Sequence, residues 1–472
     1  MNGMLDFLMK GTESVVTGTM DILTGMFDSS QPVTYNAKFG DQADHISTYN
    51  LGFAITGSKA LTKDRSHENC ILLGPTGSGK SSIVITNSIV SLAKGKSSII
   101  INDVSGELWK ATSLHLANNG YKILRLDFSN SKASETFNPL ALCKSISDIQ
   151  KMSLLIIRNA IGESKSDPFW EQSSIMLISL FSRYLLFHAE PEYRTLQNVL
   201  RLIEKFSIDG EAVDRLFVKT NDEDLLNSYK ATVAVGDKTQ QSIIATARTA
   251  LSLFCDPEVC KTTSTNSIDF SLLRNEPVAL FVNNPLKDLM YFKPLSALFF
   301  QYLFNYVLSS IPDKHSRSVF FLLDESATMK FPALSTTISN IRKFRSGILL
   351  CMQDEMSLIS QYGPAESHQI KTNCGTHIYL KGQPLHTCQQ LSQMLGYRTI
   401  IDEKGIERKR ELLTVDEIRM SEEAIIFIGN YEPLKCKMVP YYENIWRSGL
   451  GSQGSHPLPQ TSVDEPALLP FT

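Results

Sequence analysis

Short apolar runs alternate with helix-period segments along much of the chain. The runs fall at residues 70–73, 97–102 and 120–127 and resume at 277–283, 318–323, 347–352, 376–380 and 424–429. Helix-like stretches follow the first two runs, at 81–93 and up to Asn118. This β-loop-α-β-α-β order predicts an α/β fold with a parallel-rich central sheet covered by helices. From about Ser145 to Cys255 the period becomes helical throughout. Residues 169–188 are the clearest case, after the start signal Asp167-Pro168, and Pro191, Asp209-Gly210 and Gly236-Asp237 punctuate further helices. We expect an all-helical insert of roughly 110 residues, a plausible independent domain size, with the sheet completed after it.

The ends read differently. Residues 1–28 place Met4, Leu5, Leu8, Val15, Val16, Ile22, Leu23, Met26 and Phe27 at near-helical spacing, interrupted by charges and by Gly11, Gly18 and Gly25. They predict an amphipathic segment that packs on its own domain, or that serves as a surface-lying anchor or a partner-binding helix. Residues 29–69 read as strands and loops. Residues 450–472 are rich in Gly, Ser and Pro and predict a disordered tail with a possible docking motif. The expected division is an amphipathic segment at 1–28, a nucleotide-binding domain built from 29–144 and 256–449, a helical insert at 145–255 within it, and a tail at 450–472.

Composition narrows the classes. With 472 residues, 42% apolar and 20% charged, the chain reads as an ordinary soluble globular protein. A net charge of −3 gives no global basicity, so DNA contact would need local cations. The eight cysteines are scattered without a C-x-x-C pair, which fits reduced thiols. No run reaches the roughly 18–20 apolar residues a membrane-spanning helix needs.

The chemistry concentrates at residues 74–82, Gly74-Pro75-Thr76-Gly77-Ser78-Gly79-Lys80-Ser81-Ser82. This is G-x-x-x-x-G-K-[ST] between a strand-like run and a helix-like stretch, the context a phosphate loop requires. Glycines let backbone N–H groups curl around phosphate oxygens. Lys80 can reach the β- and γ-phosphates of ATP, and Ser81 can ligate Mg²⁺.

The run at 318–323 ends in Asp324-Glu325, the Walker B pattern. Asp324 is expected to hold Mg²⁺ through water and Glu325 to polarise the attacking water. Gln353 ends the run at 347–352, where it could sense the γ-phosphate or orient water. Arg342, Lys343 and Arg345 lie just upstream, and Arg342 is a candidate arginine finger for a neighbouring subunit.

With these segments placed, the chain resembles the type IV coupling protein family, the ATPases of conjugative DNA transfer and type IV secretion. The resemblance covers about residues 55–445. It runs through Thr62-Lys-Asp-Arg-Ser-His67, the phosphate loop, Asp103-Val-Ser-Gly-Glu-Leu108, Phe137-Asn-Pro-Leu140, Asp167-Pro-Phe-Trp170 and Leu323-Asp-Glu-Ser-Ala327. Arg342-Lys-Phe344, Gln353, Asn373-Cys-Gly-Thr376, Leu391-Ser-Gln-Met-Leu-Gly396 and Leu412-Leu-Thr-Val-Asp-Glu-Ile418 continue it in order. It implies a RecA-like P-loop NTPase domain, a homo-hexameric ring with ATP at subunit interfaces, and DNA engaging the centre. It also implies contact with relaxosome proteins and type IV secretion channel components at the cytoplasmic face of a bacterial membrane. Two departures stand out. Ser105 replaces the family's usual lysine, and the transmembrane helices that open typical members are not seen.

The leading expectation is therefore ATP hydrolysis that recruits or pumps relaxase-bound, single-stranded DNA. Two alternatives are a receptor for secreted proteins with ATP as a conformational switch, and another RecA-like DNA translocase. DNA-stimulated turnover favours the motor, and partner binding by residues 145–255 favours the receptor.

Overall fold

A computed structural model describes residues 35–162, 168–234, 236–444, 449–452, 454–461 and 464–471. The expected segment 1–28 and Asp167 lie outside the described residues.

Seven parallel strands are the apolar runs: β1 (Cys70–Leu73), β2 (Ser98–Asp103), β3 (Lys122–Leu126), β4 (Val278–Asn283), β5 (Val319–Leu323), β6 (Ser346–Met352) and β7 (Thr376–Tyr379). Every residue of β1, β2, β5 and β6 is buried. Strands covered on both faces need apolar side chains at consecutive positions, which is why they read as runs. A hairpin, β8 (Tyr397–Ile401) with β9 (Glu407–Glu411), pairs separately. Then β10 (Ala424–Ile428) and β11 (Leu434–Cys436) extend the main sheet antiparallel. Its order is β11-β10-β7-β1-β6-β5-β2-β4-β3.

Helices α1 (Thr86–Lys94) and α2 (Glu107–Asn118) supply Ile89, Leu92, Leu108, Trp109 and Leu116 to the core beside β1, β2 and β4. Six helices follow between residues 146 and 250. They are α3 (Ile146–Ile161), α4 (Pro168–His188), α5 (Leu196–Ile208), α6 (Gly210–Val218), α7 (Glu223–Val233) and α8 (Asp237–Ala250). No strand occurs among the described residues there. An aromatic cluster joins α4 to α7: Phe217 stacks on Tyr229 with centroids 4.2 Å apart, and Phe181 meets both Phe206 and Phe217 edge-on. Helix α9 (Leu289–Leu308) is largely apolar and places Phe304 5.0 Å from Phe321 of β5. No helix among the described residues is long and apolar enough to cross a membrane.

Two sequence expectations are corrected, and two features were not predicted. Residues 35–69 contain no strand among those described, only isolated bridges such as Ser47 to Ala60. Side chains replace strand partners there: Ser66 Oγ accepts from Phe53 N–H, and Ser88 Oγ from Ala54 N–H. The hairpin β8–β9 was not predicted, because Glu-Arg-Lys-Arg-Glu in β9 carries no apolar signal. Residues 35–38 and 389–418, which include that hairpin, cluster as a compact unit of their own, apart from residues 39–388 and 419–472. Lastly, residues 464–471 are not a free tail. Leu469 is buried, and Asn198 and Arg201 hydrogen-bond the backbone of this segment.

Candidate nucleotide site

Register brings the phosphate loop and the acidic strand end together. Leu73 is level with Met352, and Leu323 with Leu350. Gly74, Asp324 and Gln353 therefore all leave the sheet at the carboxyl edge of the parallel strands, where α/β sheets bind ligands. Gly74 N–H still donates to Met352 O at 3.2 Å, so the loop begins as a continuation of the ladder.

The loop then turns into a helix through Gly79, at φ 92°, a left-handed conformation that favours glycine. The first helical stretch, Lys80–Ile85, has π-helical winding before α1. Lys80 is buried, and its Nζ donates to Gly74 O at 2.8 Å and to Pro75 O at 3.3 Å. The loop's own carbonyls thus hold the ammonium over the loop. Ser81 Oγ donates to Asp324 Oδ2 at 2.9 Å. Ser78 Oγ is buried without a hydrogen-bond partner, a polar atom left for a ligand to satisfy.

Asp324 is 5% exposed. Burial pushes its carboxyl up to about 6, opposed by the Ser81 hydroxyl and the Glu325 N–H. Its position is fixed from behind: Asn102 Nδ2 donates to Asp324 O at 2.8 Å, and Asn284 Nδ2 to Asn102 Oδ1 at 2.8 Å. Glu325 has φ 48°, a left-handed conformation rare for a residue with a side chain, and Thr328 donates twice to its carbonyl. Backbone strain at the residue expected to activate water matches where such strain is usually found.

Ser81 and Asp324 present two hard oxygen donors 2.9 Å apart beside a phosphate loop. That set fits Mg²⁺, which is usually held by one or two carboxylates or hydroxyls and by phosphate oxygens. A cavity of about 470 Å³ opens beside Gly77, Ser78, Gly79 and Ser82 and reaches Lys381, Lys437 and Tyr442. Sequence reasoning missed these three residues. They lie about 300 positions or more from the loop, and no local motif marks them.

Of the remaining predicted residues, Gln353 stays at this edge and Arg342 does not. Gln353 is exposed at the end of β6, between the strands that carry Gly74 and Asp324. Arg342 is in a turn before β6, Ile341–Phe344, and pairs with Glu68 at 3.1 Å. It sits at the amino edge of the sheet, a strand length (roughly 20 Å) from the phosphate loop. It cannot reach its own chain's site.

Two further signature residues, Asp103 and Ser105, have structural partners. Asp103 Oδ2 accepts from Trp109 N–H at 2.7 Å and caps the start of α2, while burial raises its carboxyl. Ser105 Oγ accepts from Glu107 N–H at 3.2 Å.

The family model described as type IV secretory system conjugative DNA transfer matches residues 36–466. The chain is 22% identical over 429 residues to Protein VirD4 of Rhizobium radiobacter, covering 82% of this chain and 59% of the relative. It is also 22% identical over 443 residues to Conjugal transfer protein TraG of Escherichia coli, covering 80% and 67%. The chain thus spans about 59% of the VirD4 relative's length. The fold is similar to plasmid coupling protein TrwB in complex with the ATP analogue ADPNP, at TM-score 0.67, 15% identity and coverage of 87% and 96%. TrwB in complex with ADP and Mg²⁺ gives 0.66, 15%, 87% and 97%. The family model covers most of the chain, including the phosphate loop and the acidic strand end, and the chain belongs to the type IV secretory system conjugative DNA transfer family.

Proposed function

We propose that this chain is an ATP-hydrolysing coupling protein that recruits or pumps relaxase-bound DNA into a type IV secretion or conjugation channel. The observation that carries the reading is the 2.9 Å bond from Ser81 to Asp324, which closes the phosphate loop onto the acidic strand end. Gly74 to Ser82 would cradle the phosphates of ATP, with Lys80 on the outer ones. Ser81 and Asp324 would hold Mg²⁺, which when bound neutralises phosphate charge. Glu325 would take a proton from the attacking water, and Gln353 would orient that water or sense the last phosphate. Since Arg342 lies at the far sheet edge, it would complete a neighbouring copy's site, as in a ring. Residues 145–255 would act as the inserted helical domain that meets substrate at the cytoplasmic face of the membrane.

The test is ATP turnover by the purified protein across protein concentration, with and without single-stranded DNA. Turnover is expected to rise with both, and the DNA effect is expected to fade with salt because the phosphate backbone is the uniform feature to grip. Turnover indifferent to DNA would overturn the motor and favour a receptor that uses ATP as a switch.

A further inference from the structure

Residues 465–471, Glu-Pro-Ala-Leu-Leu-Pro-Phe, lie along the face of α5 that carries Asn198, Arg201 and Lys205. Those three positions are spaced three and four apart, so they form one stripe on the helix. The Asn198 amide reads the segment's backbone from both ends of its dipole. Its Nδ2 donates to Ala467 O at 2.9 Å, and its Oδ1 accepts from Leu469 N–H at 2.9 Å. Arg201 Nε donates to Leu469 O at 3.2 Å. Two side chains are read as well. Leu469 is buried, and the Phe471 ring lies 5.1 Å from the Arg201 guanidinium and 5.6 Å from the Lys205 ammonium. Upstream, Lys261 pairs with Glu465 at 3.2 Å.

Thr195 caps the start of this helix, and Leu196, Val199, Leu200, Leu202, Ile203 and Phe206 are buried on its other positions. Asn198 is buried too, and its Nδ2 also donates to Tyr193 O at 3.0 Å and to Thr195 Oγ1 at 3.2 Å. Most of the recognition goes to backbone groups that any extended chain offers, with side chains read at every second residue, as strand-like peptides are read.

We infer that the Asn198–Arg201–Lys205 face is a peptide-binding site, held in cis by residues 465–471. Its partner is a protein carrying an exposed extended segment with leucine followed two residues later by an aromatic, and an acid upstream. That segment displaces the resident one. The site is far in sequence from the phosphate loop and uses none of its residues, so Lys80→Ala leaves it intact and the two readings fail independently.

The experiment uses the full chain and a fluorescent peptide with the sequence of residues 461–472, read by anisotropy. Leu469→Asp in the chain frees the site, and the peptide is expected to bind it with a Kd below about 100 µM. Wild type is expected to bind at least about tenfold more weakly, because the tethered segment competes at an effective concentration in the millimolar range. Adding Arg201→Ala to the Leu469→Asp chain abolishes binding. A peptide that keeps only Glu465, Leu469 and Phe471, with the rest serine, still binds. Failure of the peptide to bind the folded Leu469→Asp chain, or equal binding to wild type, overturns the proposal. Should that variant not fold, Phe471→Ala frees the site more gently. Hydrogen exchange on wild type gives a separate check. The Leu469 amide exchanges by local opening, and exchange only through global unfolding would overturn displacement.

Discussion

Asp324 carries an electrostatic cost of burial. A carboxyl raised from 3.8 to about 6 by burial binds its proton more tightly folded than unfolded. Its contribution to stability is therefore present below about pH 4 and is lost as pH rises through 6, on the order of 3 kcal/mol from the size of that shift. His67 acts the other way. Buried against Phe320 at 5.2 Å, it is lowered to about 4, so its contribution is lost as pH falls from 6.5 toward 4. The two oppose each other over the same window, so the informative quantity is a difference between variants. Asp324→Asn is expected to melt above wild type at pH 7.5 in the absence of nucleotide and to lose that advantage near pH 4. Thermal unfolding at the two pH values measures it, and an advantage independent of pH would contradict the assignment. That Lys80, Ser81, Asp324 and Glu325 gather at one sheet edge was legible in the sequence, since a glycine-lysine-serine loop and a double acid after an apolar run are local patterns. Lys381, Lys437 and Tyr442 were not, because only the closure of the sheet carries them to the loop.

At the scale of elements, the strands announce themselves where both faces are covered. β1, β2, β5 and β6 are buried at every position and appeared as apolar runs within a residue or two of their true limits. β9 lies in exposed surroundings, β11 is three residues long, and neither has a periodic signal. Strands were expected within 29–69 and are absent over the described part, 35–69, because burial there (Phe53, Ile55 and Leu61 are inaccessible) comes with side-chain hydrogen bonds in place of strand pairing. β6 shows how closely this loop region sits on the sheet. A Cβ on Gly347 would come within 2.1 Å of Ser66 O, a backbone atom. Gly347→Ala must push the two apart and is expected to destabilise the protein by about 1–3 kcal/mol. Chemical denaturation reads this directly, and a neutral result would mean that the 62–69 segment yields freely.

At the scale of the whole molecule, Arg342 lies a strand length from its own phosphate loop, so the finger role proposed for it would require a second copy of the chain. Arg342→Ala and Glu325→Gln are each expected to lower turnover by about 10³-fold or more. A mixture of the two should recover activity. In a ring of shared sites, an interface is complete when an Arg342→Ala copy, with its Glu325 intact, sits beside a Glu325→Gln copy that still offers Arg342. With equal amounts this happens at about a quarter of interfaces in a cyclic assembly. No recovery on mixing would place Arg342 outside the reaction, leaving it as the partner of Glu68.

Closure of the phosphate loop onto Asp324-Glu325 underlies the whole proposed chemistry, and ATP binding measured beside hydrolysis in three proteins tests it most directly. Wild type should bind and hydrolyse. Lys80→Ala should lose most binding, and Glu325→Gln should bind ATP as wild type does while turnover falls by about 10³-fold. Wild-type turnover in Glu325→Gln, or undiminished ATP binding in Lys80→Ala, would contradict it.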